Sequence, residues 1–267
     1  MNYQPKISVV TISYNIVTSI EKTILSVINQ TYPNIEYIII DGGSTDGTLD
    51  IIKKYSNKIN YWISEPDKGI YDAMNKGIHI ATGEWINFMN AGDIFYDNNV
   101  INDTFSKIDE NSFDIIYGDL VIDSPFGLYW KRADDLNNIS KRMVFGHQAS
   151  FINSKYHKSN EYDITFKSSG DYNFFYKAYF NNAKFKYIPI KVAIFDGKSG
   201  MSKDNFYIAN LEDLRIYGKD KYLKNRVKLS FNFLMWKIKR FIKTIIGKKI
   251  LTTLMKKKME KDGYIAI

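Results

Sequence analysis

Three short polar clusters in this sequence have the residue types to hold an anionic ligand together with a cation: Ser13-Tyr14-Asn15, Asp41-Gly42-Gly43-Ser44 and Asn90-Ala91-Gly92-Asp93. Each follows an apolar, strand-like run, so each is expected at the carboxyl end of a strand, where open parallel sheets bind their ligands. The second cluster is a Gly-rich turn opening a helix, and its amides could face an anion; it also reads simply as a capped turn. It has neither the GxGxxG spacing of a dinucleotide site nor the GxxxxGK signature of a phosphate loop. Asp93 follows small residues that let a ligand approach. A carboxylate so placed suits Mg2+ or Mn2+ bridging two phosphates, since such cations take oxygen ligands and often only one or two from protein; the alternative is an Asp that closes a turn. His147 and Gln148 are adjacent polar residues in an otherwise strand-like run, Val144–Phe151. The other histidines, His79 and His157, show no ligand spacing with it, and there is no cysteine, so a zinc site is not expected.

An alternation of strand and helix patterns positions these clusters. Ile7–Tyr14 is a β-branched run, and Thr18 is expected to cap a helix to about Gln30, with Glu21 completing a capping box. Ile35–Ile40 is nearly continuous in apolar residues, as in a strand buried on both faces of a parallel sheet. A helix over Thr48–Tyr55, a strand over Asn60–Ser64, a helix over Ile70–Ala81 and a strand over Trp85–Met89 follow. This order implies right-handed crossovers and a mainly parallel sheet of α/β class. Beyond Asn98 the pattern is less regular: a helix to Lys107, strands over Asp114–Ile122 and Val144–Asn153, a helix over Asp171–Phe180 and a strand over Lys184–Phe195. Trp130 is expected in a loop, where its ring could stack on a ligand.

With 267 residues, 45% hydrophobic and 25% charged, the chain has the composition of an ordinary globular protein able to bury a sizeable core. The absence of cysteine fits a reducing cytosol. No signal peptide is expected, because the N-terminus runs directly into a strand pattern, and no apolar run is long enough to span a bilayer. The net charge of +8 is unevenly distributed. Lys219–Ile267 holds 15 Lys or Arg against three acids, leaving 22 basic and 26 acidic residues in the rest. An acidic body with a basic tail argues against a nucleic-acid surface spread over the protein.

The segments ISVVTISYN, DGGSTDGT and DKGIYDAMNKGIHIATGEWINFMNAGD, in this order and spacing over about residues 5–100, resemble the family 2 glycosyltransferases of the GT-A fold. Within that family the likeness is to bacterial enzymes building capsule, exopolysaccharide or lipopolysaccharide. FGHQASF and SSGDYNFFYKAY extend it to about residue 200. The resemblance implies that Thr11, Tyr14 and Asn15 meet the base and ribose of a nucleotide sugar, that Asp41 with Gly43 binds the base, and that Asp72 lies in the segment lining the pyrophosphate and sugar. Asn90–Asp93 occupies the place of the Asp-x-Asp motif but begins with Asn, which makes Asp93 the main metal ligand and Asn90 secondary. Asp171 takes the place of the general base, though its position before an apolar helix also allows a helix cap. His147, Gln148 and Trp130 fall on the acceptor side, and Asp196 and Lys198 lie where some relatives place a further metal or phosphate contact.

The expected organisation is a GT-A domain over residues 1–203, with a donor half at 1–100 and an acceptor half at 101–203, followed by a helical basic region at 204–267. In the last region Val227, Phe231, Leu234, Ile238, Phe241, Ile242 and Ile245 recur three or four apart among lysines. Such a helix suits an anionic membrane surface; the alternatives are a homo-oligomer contact or a helix packed on the domain. The activity implied is inverting sugar transfer with Mn2+ or Mg2+, from a UDP-sugar by default, to a saccharide or polyprenyl-linked acceptor. The enzyme is expected in the cytoplasm, peripheral on the inner face of the membrane. A metal-dependent nucleotidyltransferase would favour a Gly-rich, basic loop after the first strand, which SYNIVTS does not supply. A catalytically inactive scaffold of the same fold would not need Asp41, Asp93 and Asp171 together.

Overall fold

Strand β1 (Ile7–Ser13) is buried along its whole length, and its alternating side chains feed two apolar layers. Ile7 and Val9 join one, Val10 and Ile12 the other. The computed structural model describes residues 4–108, 112–198, 206–245 and 248–267. After β1 come α1 (Ile20–Ile28), β2 (Ile35–Asp41), α2 (Thr48–Lys54), β3 (Tyr61–Ser64), α3 (Ile70–Ile80), β4 (Trp85–Phe88), β5 (Ile94–Phe95) and α4 (Val100–Phe105). The second half adds β6 (Ile115–Ser124), β7 (Gly127–Lys131), β8 (Ser150–Asn153), α5 (Ser154–Ser159), α6 (Gly170–Phe180) and β9 (Phe185–Asp196). Helices α7 (Phe206–Ile216), α8 (Leu223–Ile245) and α9 (Lys248–Lys261) and a short β10 (Ile265–Ala266) complete the chain.

The main path of the sheet runs β10-β7-β6-β8-β4-β1-β2-β3. It is parallel over β3, β2, β1 and β4. It turns mixed beyond, because β8 lies antiparallel to both β4 and β6 while β9 runs parallel to β6. Register sets the geometry of the carboxyl edge. Ser13 sits level with Asp41, and beyond β4 the chain stays beside β1 through the bonds from Met89 N to Val10 O and Ala91 N to Ile12 O, both 3.0 Å. The ends of β2, β1 and β4 thus lie side by side. At the opposite edge Glu36 accepts from Ser8, Thr82 and Lys6. Burial opposes its charge, but these donors hold its pKa down at about 2.

Several local expectations are corrected. Helix α1 begins at Ile20 without a side-chain cap; instead of completing a box with Thr18, Glu21 accepts from Lys54 and Tyr55, each at 2.7 Å. The strand expected over Val144–Asn153 is only Ser150–Asn153, because His147–Ala149 forms a 3₁₀ turn. Trp130 is not in a loop. It lies on β7, which forms a hairpin with β6 through a turn in which Ser124 Oγ bonds the Phe126 amide and the Gly127 carbonyl. The basic tail is helical as expected, yet its end returns to the sheet, where Ile265 pairs with Trp130 and Ala266 with Tyr129. Its expected start at Asp204 lies outside the described residues.

His157 is fully buried among Phe88, Tyr162 and Phe174. Its Nδ1–H donates to Asn160 O, and Nε2 has no partner. Burial pushes its pKa from 6.5 down to about 4. Between those values the unfolded chain takes up a proton that the folded one refuses, so stability falls as pH drops from 6.5 towards 4, by about 3 kcal/mol. Denaturant titrations across that range should show this loss, and His157→Phe should flatten it. An unchanged slope would mean that the imidazole titrates normally.

Candidate active site

Asp93 lies just beyond the carboxyl end of β4 and is 5% exposed. Gly92, at φ +107°, lets the chain turn there, and a side chain at that position would approach the Asp196 carboxylate. Thr23 of α1 pins the turn, its hydroxyl donating to Asp93 O while accepting from Gly92 N. The Asp93 carboxylate accepts from Gln148 Nε2 at 2.8 Å and from the Asp196 amide at 2.9 Å. Burial raises its pKa above the ordinary range and the neighbouring Asp196 adds to this, against the opposing pull of the two donors. Lys22 stands 3.6 Å from Asp196.

Beside this pair runs a second hydrogen-bonded chain. Asn90 Nδ2 donates to His147 Nε2 at 3.1 Å, and His147 Nδ1 bonds Asp171 Oδ2 at 3.1 Å. An amide nitrogen has no lone pair to give, so Nε2 is the acceptor and the ring carries its proton on Nδ1, facing the carboxylate. Asp171 stands in the first turn of α6 rather than at its cap, which is Ser169; it also accepts from the Tyr172 amide and shares the Tyr71 hydroxyl, 3.2 Å away, with the Ser168 carbonyl at 2.8 Å. Its side chain keeps 21% exposure. Burial would raise its pKa, but His147 and these donors hold it below the ordinary value, and the helix N-terminus favours the anion further. With its amide nitrogen turned to His147, Asn90 leaves Oδ1 buried without a donor.

The 3₁₀ turn explains why His147 and Gln148 reach the same site although they are consecutive: on a strand they would point to opposite faces. Asn87 Nδ2 holds the turn by donating to Gln148 O and Ser150 O. Asn90, Asp93, His147, Gln148, Asp171 and Asp196 are therefore brought together.

The glycine turn is organised differently. Asp41 is fully buried and accepts from the hydroxyls of Ser13, Ser44 and Ser64 and from the amides of Gly43 and Ser44. Burial opposes its charge, but these donors keep its pKa low. It shapes the turn, with Gly43 at φ +84°. A side chain at Gly42 would meet the Asp67 carboxylate at 2.5 Å and the Tyr14 ring at 3.3 Å, so the bare backbone there is flanked by Asp67 and by Tyr14, which is 64% exposed. Asn15, at φ +46°, bridges to the turn by accepting from the Thr45 amide.

Other expected residues are placed elsewhere. Thr11 has no exposed surface and fastens β1 to Met89 O at 2.8 Å. Asp72 accepts from the Lys68 amide at the start of α3 and lines a separate polar cavity with His79 and Glu161. Trp130 donates to Asp119 from Nε1, and the Lys191 ammonium covers its ring. Lys198 pairs with Asp123.

Tyr71, Asp67 and Glu212 were not singled out from sequence. Glu212 of α7 is buried and accepts from the amides of Lys167, Ser168 and Ser169, the segment leading into Asp171. Nothing in the local pattern around a helical Glu announces that role. Among the described residues no group of three His, Asp or Glu is close enough to hold a metal by protein ligands alone.

A family model described as Glycosyl transferase family 2 matches residues 8–184. A PGL/p-HBAD biosynthesis glycosyltransferase of Mycobacterium bovis (strain BCG / Pasteur 1173P2) is 28% identical over 204 residues, 74% of this chain and 79% of that one. The crystal structure of S. aureus TarS 1-349 in complex with UDP-GlcNAc is similar with a TM-score of 0.60 at 21% identity, covering 85% of this chain and 73% of that one; of the longer TarS chain, 43% is covered. The mannosyltransferase PcManGT from Pyrobaculum calidifontis in complex with GDP-Man and Mn2+ gives a TM-score of 0.58 at 14% identity, over 94% of this chain and 87% of that one. Structural likeness at such identities speaks for the fold alone.

Replacing Glu212 by Ala removes the acceptor of three amides, that of the buried Ser169 and those of the less buried Ser168 and Lys167, and should cost roughly 2 kcal/mol of stability. Turnover should fall with the loosened Asp171 segment, while Glu212→Gln, which keeps one acceptor oxygen, should recover part of both. Thermal melts and steady-state rates on the two variants check this; an alanine variant with wild-type melting would sink it.

Proposed function

We propose, from the premise that this chain belongs to glycosyl transferase family 2, that it inverts configuration and uses a divalent metal in moving a sugar from a nucleotide sugar, with UDP-sugars first, to a saccharide acceptor. The acceptor is free or polyprenyl-linked, in the assembly of a surface polysaccharide. That the chain is a glycosyltransferase of GT-A fold is the common ground of its relatives and neighbours. One observation carries the finer reading: a carboxylate held anionic yet partly exposed, Asp171, stands on the His147–Asn90 chain beside the buried Asp93.

Asp171 acts as the general base. Its anion takes the proton of the acceptor hydroxyl as that oxygen attacks the anomeric carbon. The bond from that carbon to the phosphate oxygen breaks on the opposite side, and the nucleoside diphosphate leaves. A single displacement of this kind inverts the anomeric centre. The Nδ1–H of His147 and the hydroxyl of Tyr71 fix the carboxylate's orientation, and Asn90 holds the far side of the ring. On the donor side the nucleobase lies over the bare Gly42 turn, between Tyr14 and Asp67. Asp41, saturated with donors, acts by shaping that turn.

Asp93, with Asn90, would hold Mn2+ or Mg2+. The oxygen donors are of the type these ions take, Asn90 Oδ1 is buried without a donor, and the small number of protein ligands suits an ion completed by diphosphate and water. When bound, the ion neutralises charge on the departing diphosphate. The UDP-GlcNAc complex of TarS supports uridine as the first base to test. The same reading places the chain peripherally on the inner face of the cytoplasmic membrane, where a lipid-linked acceptor would be presented.

Nucleoside diphosphate release from UDP-, GDP- and dTDP-sugars, with Mn2+, Mg2+ or EDTA, tests the reading directly. The expected result is slow metal-dependent hydrolysis of one donor. Asp171→Asn should lower turnover about 100-fold or more with donor affinity largely kept, and normal turnover by that variant would remove the base. Asp93→Asn should abolish the metal dependence of nucleotide binding measured by calorimetry; metal-dependent binding that persists would move the ion elsewhere.

A further inference from the structure

Helix α8 has two apolar faces, and the fold covers one of them. Phe233 and Trp236 lie against Phe206 and Tyr207 of α7, with ring centroids 5.4 Å apart for Trp236–Phe206 and for Phe233–Tyr207. Leu229, on the same side at helical spacing, is 4% exposed. The other face is open. Val227, Phe231, Leu234, Ile238 and Ile242 fall within about 80° of the helix circumference at 3.6 residues per turn. They keep between 42% exposure, at Ile238, and 61%, at Phe231. A contiguous stripe of this kind marks an interaction surface rather than scattered surface residues.

Its borders are cationic. By the same helical geometry Lys224 and Lys228 flank one edge of the stripe and Arg226 and Lys237 the other, and α8 contains no acidic residue. None of these four cations forms an ion pair with a carboxylate among the described residues. Among the described residues no helix is long and apolar enough to cross a membrane. We propose that this face of α8 lies in the interfacial layer of an anionic lipid bilayer, parallel to its plane. The apolar stripe would sink to the acyl boundary while the flanking Lys and Arg stems reach up to the headgroups.

The charge pattern selects this occupant. A second copy of the chain docking on the stripe would set like-charged borders against each other, whereas anionic headgroups neutralise both borders at once. The inference rests on the peripheral location proposed above but on none of the sugar chemistry, so its failure is separable: donor hydrolysis in the absence of lipid reports on the active site alone.

The test is sedimentation of the full chain with vesicles of pure phosphatidylcholine or of phosphatidylcholine mixed with phosphatidylglycerol. Binding is expected to the mixed vesicles, weakening by about fivefold for each flanking charge removed in Lys224→Gln and Lys228→Gln, and weakening at high salt. Phe231→Ser with Leu234→Ser should weaken it by at least about tenfold, with the melting temperature and donor hydrolysis of the wild type, since both side chains are exposed. Equal binding to neutral and mixed vesicles, or none to either, would overturn the proposal. So would a lipid-free dimer in sedimentation equilibrium that the double serine variant dissolves.

Discussion

Taking a carboxylate out of water costs several kcal/mol unless other donors replace the lost hydration, and this protein buries carboxylates along the carboxyl edge of its sheet. The donors that make this tolerable come from far away in sequence. Asp41 depends on Ser13 and Ser64, Asp93 on Gln148 and the Asp196 amide, and Asp171 on His147 and Tyr71. Each anion therefore ties together segments that approach only when the sheet is complete. The parallel register of β1 with β2 and β4 is the framework for this, because it brings three strand ends to one line.

The three carboxylates are not equivalent, and the difference lies in how completely each is served. Asp41 receives five hydrogen bonds and is kept anionic as a permanent part of the turn. Asp93 is as deeply placed but accepts from Gln148 and the Asp196 amide and has the Asp196 carboxylate beside it, so its charge is costly. That deficit is what the proposed cation would relieve. Asp171 is held anionic by an imidazole N–H while part of it stays open to solvent, the combination a proton acceptor needs.

The basic C-terminal region serves both the site and the surface. Through Glu212, α7 holds the backbone that delivers Asp171, and Tyr217 just beyond it bonds Tyr172 in α6. Helix α8 packs on α7 through Phe233 and Trp236, and β10 pairs with the edge of β7. The helix with the open apolar stripe is thus connected to the segment bearing the proposed base through a single intervening helix.

The order of strands and helices through Met89, the polar strand ends and the amphipathic basic tail were legible in the sequence, because periodicity and composition are local properties that burial on one or two faces imposes directly. The polar residues that meet at the site, Asn90, Asp93, His147, Gln148, Asp171 and Asp196, were legible chiefly through the family resemblance of their segments. Their roles were less so. Thr11 looked like a ligand contact and is a buried fastener, Trp130 looked like a loop platform and sits in a strand, and Asp72 accepts from the Lys68 amide just before its own helix. Glu212 gave no local signal at all, and Asp67 opens the DKGIYDAMNKG segment without being marked within it. Hydrogen-bond partners across tens of residues, the 3₁₀ turn that aims two consecutive side chains at one site, and the mixed sheet beyond β8 were decided by tertiary structure, since they answer to which buried polar groups lack partners once the chain has closed, and no short stretch of sequence contains that information.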